Sequence, residues 1–581
     1  MRRAVAGLLL LLVAGCGLPL PEGVRSAGDV RADQPEQVGI QVLPPGPQDG
    51  ATEVALVQGF LRAQSSPNNA HAVAREFLAP ATPWDDDELV IVYRASPTVT
   101  PDPERLGQVI VRLETVARIS DDGSYRLDSR TLEERYTIGR QADGQLRLTG
   151  VPPGLRLTPA DRELSYRPYK VDFLGLDRNG EATSRLVVDQ VFLPITVDPA
   201  AAAEAVVAAA LRGPSLPLRG AVTTAAPLGT TLASPVRTDA GVVTVDLSGA
   251  VRALDARGRR RLSAQLVWTL NAASYNGLRL LVEGEPFEVD GVDDVQEVSD
   301  WQGFDPSAVD EQAPLLYVRD RKLLNFDGAV ETSDATRGGA LLVDEAASSP
   351  LRSALGLRTR TPAGLDEIRT GPASGPFGAA LLAEPEIGSL SWGSGDQGLW
   401  VLQGGRRPVV WLVPGPDAPP GTLPRPIEYE SPPGATGPLS HVRVARDGTR
   451  VALVFGTGVD RRLHVGRIEP VQGELRIAGV VAVAPALSDV TDVAWKSGTE
   501  LAVLAADAET AGLLPVEVAI DGSSVRAVQR GGLTGTPVSL AAAPGRPLTV
   551  AAQEGGRSRL FRDNGSLFRL QQDGGMPFYP G

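Results

Sequence analysis

Cys16 is the only thiol in the 581-residue chain. It follows Arg2-Arg3, an apolar run from Ala4 to Ala14, and the small-residue approach Val13-Ala14-Gly15. A positive start, a short apolar core and small residues before a cysteine form the pattern of an export signal ending in a lipobox. The chemistry such a pattern serves is acylation. The sulfur takes a diacylglyceryl group as a thioether, cleavage after Gly15 frees a new amino group at Cys16, and that amine accepts a further chain such as palmitate. As a helix the apolar core spans ~16 Å against roughly 30 Å of hydrocarbon, too short for a membrane span. Acyl chains contribute ~0.8 kcal/mol per buried CH₂, so two of them hold a protein on a bilayer. The plainer reading is an ordinary signal peptide with an incidental cysteine.

Other chemistry-bearing patterns are weaker. Gly393-Ser-Gly-Asp-Gln-Gly398 matches the dinucleotide fingerprint in letters, but that fingerprint works between a strand and a helix, and here a strand, Leu399–Leu402, follows. The glycines therefore read as a turn. Histidine is scarce (His71, His441, His464), and no Gly-x-Ser-x-Gly elbow accompanies it, so a hydrolytic triad finds no frame. No Cys pair or His at ligand spacing suggests a metal, and no cofactor is expected. His441 is expected just before a strand and His464 within one, as ordinary sheet residues or a pH-sensing pair. Asp85-Asp86-Asp87-Glu88 reads as a solvated turn in preference to a cation site. Trp392, Trp400 and Trp411 could stack on sugars, but alternating positions such as Trp400 fit a sheet core better. Carboxylates are plentiful, yet nothing singles out a glycosidase pair.

Composition narrows the class. A 61.0 kDa chain with 42% hydrophobic and 22% charged residues is globular and should hold more than one domain. The net charge of −14 becomes −16 once Arg2 and Arg3 leave with the signal, which repels phosphate backbones and excludes nucleic acid as a natural partner. With no second thiol there is no internal disulfide, so the domains rest on core burial.

Five regions follow from the patterning. Residues 1–15 form the signal. Residues 16–50 hold the lipidated cysteine and a Pro/Gly-rich tether with a reach of about 30 Å. Residues 51–170 open on a helical pattern (Val54, Leu56, Val57, Phe60, Leu61), with a second helix at Ala70–Leu78. Strands then follow at Leu89–Arg94, Val109–Ile119, Leu132–Ile138 and Gln145–Leu148, with hairpin turns at Asp121-Asp122-Gly123 and Ala142-Asp143-Gly144. This segment resembles the nuclear-transport-factor-like cone. Residues 171–298 show a strand at Arg185–Leu193, an alanine-rich helix capped by Asp198 and closed by Gly213-Pro214, and a helix from about Arg259 to Ala273. Both helices carry apolar stripes that should pack on the domain's own sheet. Residues 299–581 turn all-β. Val442–Val454, Val493–Leu504, Val538–Val550 and Leu390–Leu402 repeat a strand, a tight turn and a strand at periods of 47 to 50 residues, with turn glycines at 448, 498 and 545. That repeat predicts a propeller of five or six blades. The fold class is thus multidomain: two α+β modules and then an all-β propeller.

Leu211-Arg-Gly-Pro214, Gly229-Thr-Thr-Leu232 and Val243-Thr-Val-Asp-Leu-Ser248 occur in the order found in the GerMN domain, which residues 171–298 resemble. Lipobox, α+β segment, GerMN-like domain and propeller, in that order, resemble the LpqB-type actinobacterial envelope lipoproteins. The resemblance implies a non-enzymatic accessory of the MtrAB two-component system. Such a protein would be lipid-anchored on the extracytoplasmic face of the cell membrane. It would contact the extracytoplasmic domain of an MtrB-type sensor histidine kinase, with effects on envelope metabolism and division. No catalytic residue transfers; Cys16 alone carries over. Two rival expectations remain: a cell-wall glycan or muropeptide binder, or a hydrolase, using the propeller funnel, and a scaffold that stabilises other envelope complexes. A funnel mouth of exposed Trp and Asp/Glu would favour the glycan reading; a mouth of Ala, Val and Gly would not.

Overall fold

The computed structural model describes residues 44–66, 68–94, 96–307, 313–326, 341–373, 376–394, 397–435, 437–506 and 512–581. Among these, no helix is long and apolar enough to cross a membrane.

The first module begins with the helix Glu53–Ala63, whose Thr52 hydroxyl accepts from the Ala55 N–H at 3.2 Å and so caps a free donor. Its apolar face, Leu56, Val57, Phe60 and Leu61, is buried against a sheet ordered Leu146–Gly150, Thr131–Arg140, Gln108–Ser120, Leu89–Tyr93, Leu155–Leu157. The long strand Gln108–Ser120 turns Val109, Val111, Leu113, Ala117 and Ile119 inward, a period of two that pins its register. Phe60 meets Trp84 edge-on at 5.2 Å and Tyr136 at 6.2 Å, closing the core. Three strands escaped the sequence reading: Thr98–Pro101, Tyr125–Leu127 and Leu155–Leu157. All are three or four residues long, too short for alternation to register.

The second module pairs the strands Tyr166–Leu176 and Ala182–Pro194 in an antiparallel hairpin. On one face, Val171, Phe173, Val187 and Val191 pack with the helices Pro199–Arg212 and Ala256–Ala272 and with the parallel strands Val242–Leu247 and Gly277–Val282. Asp198 caps the first helix, its carboxylate accepting from the Ala200 N–H at 3.0 Å. Buried Val206, Val207, Leu262 and Leu266 confirm that both apolar stripes face the domain's own sheet.

Six blades build the propeller among the described residues, the third and fourth sharing one eight-stranded sheet through the parallel pairing of Arg425–Tyr429 with Glu474–Ala482. The blades begin with the strands Leu316–Arg319, Val343–Ser348, Ile387–Trp392, Leu439–Val444, Ser488–Trp495 and Thr536–Ala541. Each predicted repeat is the first hairpin of a blade. The ring closes because Gly575–Phe578 returns to pair antiparallel with Leu316–Arg319, giving the first blade its innermost strand from the far end of the sequence. Between blades, inner-strand N–H groups that lack a sheet partner are taken by side chains of the preceding blade. Glu345 accepts from Leu390 N at 3.2 Å, Ser391 from Val444 N at 2.8 Å, and Asp492 from Leu540 N at 2.9 Å.

The second module sits on the propeller face formed by these first-hairpin turns. Arg185 donates to the Ser394 hydroxyl at 2.8 Å, Gln190 to Asp521 at 2.7 Å, and Arg450 to the Val188 carbonyl. The turn Ala445–Arg450, which reads as a surface loop, is buried at every position. Gly448 has φ +70, and a Cβ there would lie 2.6 Å from Ser394 Cβ, so the turn needs glycine for conformation and for space. Gln397 Nε2 donates to the Gly448 carbonyl at 2.9 Å. Gly393 and Gly398 of the fingerprint therefore serve a strand-to-strand turn packed against the neighbouring blade, as their spacing before Leu399 implied; Gly395 lies outside the described residues.

Candidate functional site

Two concave regions stand out. The first is the propeller's central channel. The inner strands line it with Ala346, Ala347, Leu390, Val444, Ala494, Ala541 and Ala542, and Trp392 and Trp495 stand buried among them. Arg446 fills one mouth. It is buried, and its guanidinium donates to the carbonyls of Pro580 at 3.0 Å, Trp495 at 2.9 Å and Ala542 at 3.1 Å. Burial pushes it down to about 10, so it stays cationic at neutral pH. The segment Tyr579-Pro580-Gly581 crosses the same mouth, Gly581 N bonding to Ser348 O at 2.9 Å. Glu345 and Asp492, both buried, flank Arg443 at 4.0 and 3.6 Å; burial raises both carboxyls and Arg443 opposes that rise. What remains is a space of about 60 Å³, against roughly 300–1,000 Å³ for small-ligand sites. Such a space has room for a few waters and none for a sugar ring.

The second is a cleft of about 270 Å³ where the two α+β modules meet the propeller. The strand Tyr125–Leu127 supplies one wall, Asp189, Gln190 and Leu218 a second, and blades four and five a third through Val465–Arg467, Gly479 and Ile520-Asp521. Its charged groups are mostly arginines: Arg118, Arg126, Arg130, Arg450 and Arg467. Asp189 is spent internally, accepting from Ser215 N at 2.8 Å and Ser215 Oγ at 2.9 Å.

The motif that marked the second module is structural. Thr231 N donates to Ser248 Oγ at 3.1 Å, Leu232 bridges to Leu247, and Asp246 accepts from Gly284 N at 3.0 Å. The second and third pieces, Gly229–Leu232 and Val243–Ser248, thus bind each other.

Family models place this architecture. Residues 46–163 match "Lipoprotein LpqB, N-terminal domain", residues 167–288 match "Sporulation and spore germination", and residues 317–580 match "Lipoprotein LpqB beta-propeller domain". The chain is 29% identical to Lipoprotein LpqB of Thermobifida fusca (strain YX), covering 92% of each chain. It is also 29% identical to that of Cutibacterium acnes, covering 93% of this chain and 92% of the relative. The chain belongs to the LpqB lipoprotein family. Among solved structures, the first GerMN domain of the sporulation protein GerM from Bacillus subtilis aligns over 22% of this chain and 98% of that one, with 19% identity and a TM-score of 0.18.

In this LpqB-family chain the lipobox residues Val13, Ala14, Gly15 and Cys16 lie outside the described residues. The structure places the remaining candidates in ordinary roles. Trp392 and Trp400 are buried and offer no open stacking face, and Trp411 is half-buried, its Nε1 donating to Gln403 at 2.9 Å. His441 is the third residue of the strand Leu439–Val444 and does not precede it, because pairing with the next strand extends to Leu439↔Phe455. His464 stacks edge-on to Phe455 at 5.2 Å. Burial lowers both histidines, His441 to about 3 with help from Arg443 and Arg461. Asp86 pairs with Arg75 at 2.6 Å, and Asp85 accepts from the Asp87 N–H at 3.1 Å, a turn of the expected kind. No group of three or more His, Cys, Asp or Glu able to hold a metal occurs among the described residues. The arginine cleft was missed by sequence reasoning. Its members range from position 118 to 521, and no local spacing joins them.

Proposed function

We propose that this LpqB-family protein is a lipid-anchored, extracytoplasmic accessory of a two-component sensor kinase of the MtrB type, acting by protein contact and without catalysis. Cys16 is the anchor, acylated on sulfur and amine after cleavage behind Gly15. The observation that carries the contact reading is the filled propeller channel. Arg446 and Tyr579–Gly581 close the mouth, and an alanine-rich wall replaces the exposed Trp and carboxylate rim that a glycan funnel would need. What is left for recognition is the outer surface of a body whose modules are joined by side-chain bonds. Confinement to the membrane raises its effective concentration near integral-membrane partners, so weak binding suffices.

Mass spectrometry of protein from native membranes should find Cys16 N-terminal and diacylated. Cys16→Ser should be found unprocessed or released. Full-length protein in detergent should capture a sensor ectodomain and alter kinase phosphotransfer. Retention on purified peptidoglycan alone would favour the glycan reading, and capture with unchanged phosphotransfer would favour the scaffold.

A further inference from the structure

The cleft between the three modules gathers more guanidiniums than carboxylates able to pair with them. The protein is acidic overall, with a formal charge of −14, and most buried or half-buried arginines have a carboxylate partner. In the cleft, Arg450 pairs with Asp447 at 2.9 Å, Arg467 with Glu469 at 2.9 Å and Arg130 with Asp128 at 3.2 Å. Arg118 and Arg126 differ. Both line the cleft, and neither makes an ion pair or a side-chain hydrogen bond among the described residues. Arg126 Nε is buried with no partner at all. Desolvation lowers the Arg126 guanidinium, and repulsion from Arg118 and Arg467 lowers it further, while Asp122 offsets part of this. Three guanidiniums thus crowd one pocket, and the nearby carboxylates Asp189 and Asp521 are occupied by Ser215, Gln190 and Ser523.

Arg126, half-buried with two further guanidiniums beside it and no ion-pair partner of its own, is costly to hold there unless something anionic joins it. Gly479 adds to the picture. Its backbone has φ +60, and a Cβ there would collide with Arg467 Nη1, so the glycine makes the space in which that guanidinium lies over the strand. The remaining wall is apolar, with Leu127, Leu218, Val465 and Ile520.

We infer that this cleft binds a small phosphate-bearing ligand, its phosphate held by Arg118, Arg126 and Arg467 and its body set against Leu127, Leu218, Val465 and Ile520. Guanidinium forks match phosphate oxygens in pairs, and a doubly charged phosphate balances the two unpaired cations. At about 270 Å³ the cleft fits a compact ester or diphosphate head and excludes a polymer. A ligand there touches all three modules at once, so its binding energy is tied to their mutual placement.

Full-length protein in detergent, titrated calorimetrically with inorganic pyrophosphate, should show saturable one-to-one binding. R126Q and R118Q should each weaken it by about tenfold or more, since each removes charge-assisted bonds, while R406Q, on an exposed loop of another blade, should not. Thermal unfolding checks that the variants remain folded, and the exposed Arg118 keeps the test valid if R126Q does not. Vesicles of phosphatidylglycerol that displace pyrophosphate, where phosphatidylcholine does not, would place the phosphate on a lipid headgroup. Absence of displacement would place it on a soluble ester. Either result supports the site. No saturable binding, or binding in both R118Q and R126Q as tight as in the wild type, overturns it.

Discussion

Asp172→Asn should stabilise the protein at pH 8 and leave it nearly unchanged at pH 4. Asp172 is 1% exposed, and its Oδ1 has no hydrogen-bond partner. It pairs across the hairpin with Val188, whose face is turned to the propeller. Burial, reinforced by Asp305 and opposed by Lys170 and Arg450, pushes the carboxyl up from 3.8 to about 7. The folded protein therefore keeps a proton that the unfolded chain releases above pH 3.8. Stability is fully present below that value and falls as pH rises through the window to about 7. A shift of about three units at 1.36 kcal/mol each sets an upper bound of about 4 kcal/mol on the loss. Asn keeps the shape and cannot ionise, so it should recover about 2–4 kcal/mol at pH 8. Urea unfolding of full-length protein, followed by tryptophan fluorescence at both pH values, reads the difference; Trp268 and Trp301 report from the same module. An equal wild-type-to-variant difference at pH 4 and pH 8 would refute a buried neutral carboxyl.

Three further outcomes follow from features of the propeller. Arg446→Met should cost about 3–5 kcal/mol, because the carbonyls of Pro580, Trp495 and Ala542 lose the guanidinium that donates to all three; an unchanged urea midpoint would contradict the plug. His441, lowered to about 3 against 6.5 unfolded, has the opposite sign to Asp172. Stability is lost as pH falls below 6.5, by about 2 kcal/mol between pH 7 and 5, and His441→Leu should flatten that limb in an acid-unfolding series. Gly448→Val should destabilise by about 1–3 kcal/mol through both its φ of +70 and the clash with Ser394, and limited proteolysis should then cut more readily near Arg185.

The sequence made local order legible. Asp198 before an alanine run is a cap, Asp-Gly between alternating segments is a hairpin, and the recurrence of those hairpins is a blade. Each signal lies within about a dozen residues and rests on backbone preference or side-chain period. What escaped depends on separation along the chain. The pairing of Gly575–Phe578 with Leu316–Arg319, the burial of the Asp447-Gly448 turn under Val188, and the gathering of Arg118, Arg126 and Arg467 are set by how finished domains dock. Nothing local distinguishes Arg126 from a solvent arginine; its missing partner is visible only once the surrounding walls exist.

The late return of Gly575–Phe578 to the first blade has a consequence for biogenesis. The ring stays an open arc, with the inner edge of Leu316–Arg319 bare, until synthesis has delivered residue 578. Lost loop-closure entropy over some 250 residues is recovered only at that moment. Interrupted translation just short of the seal would leave an adhesive edge exposed to whatever strand comes near, so envelope proteases should clear such stumps quickly.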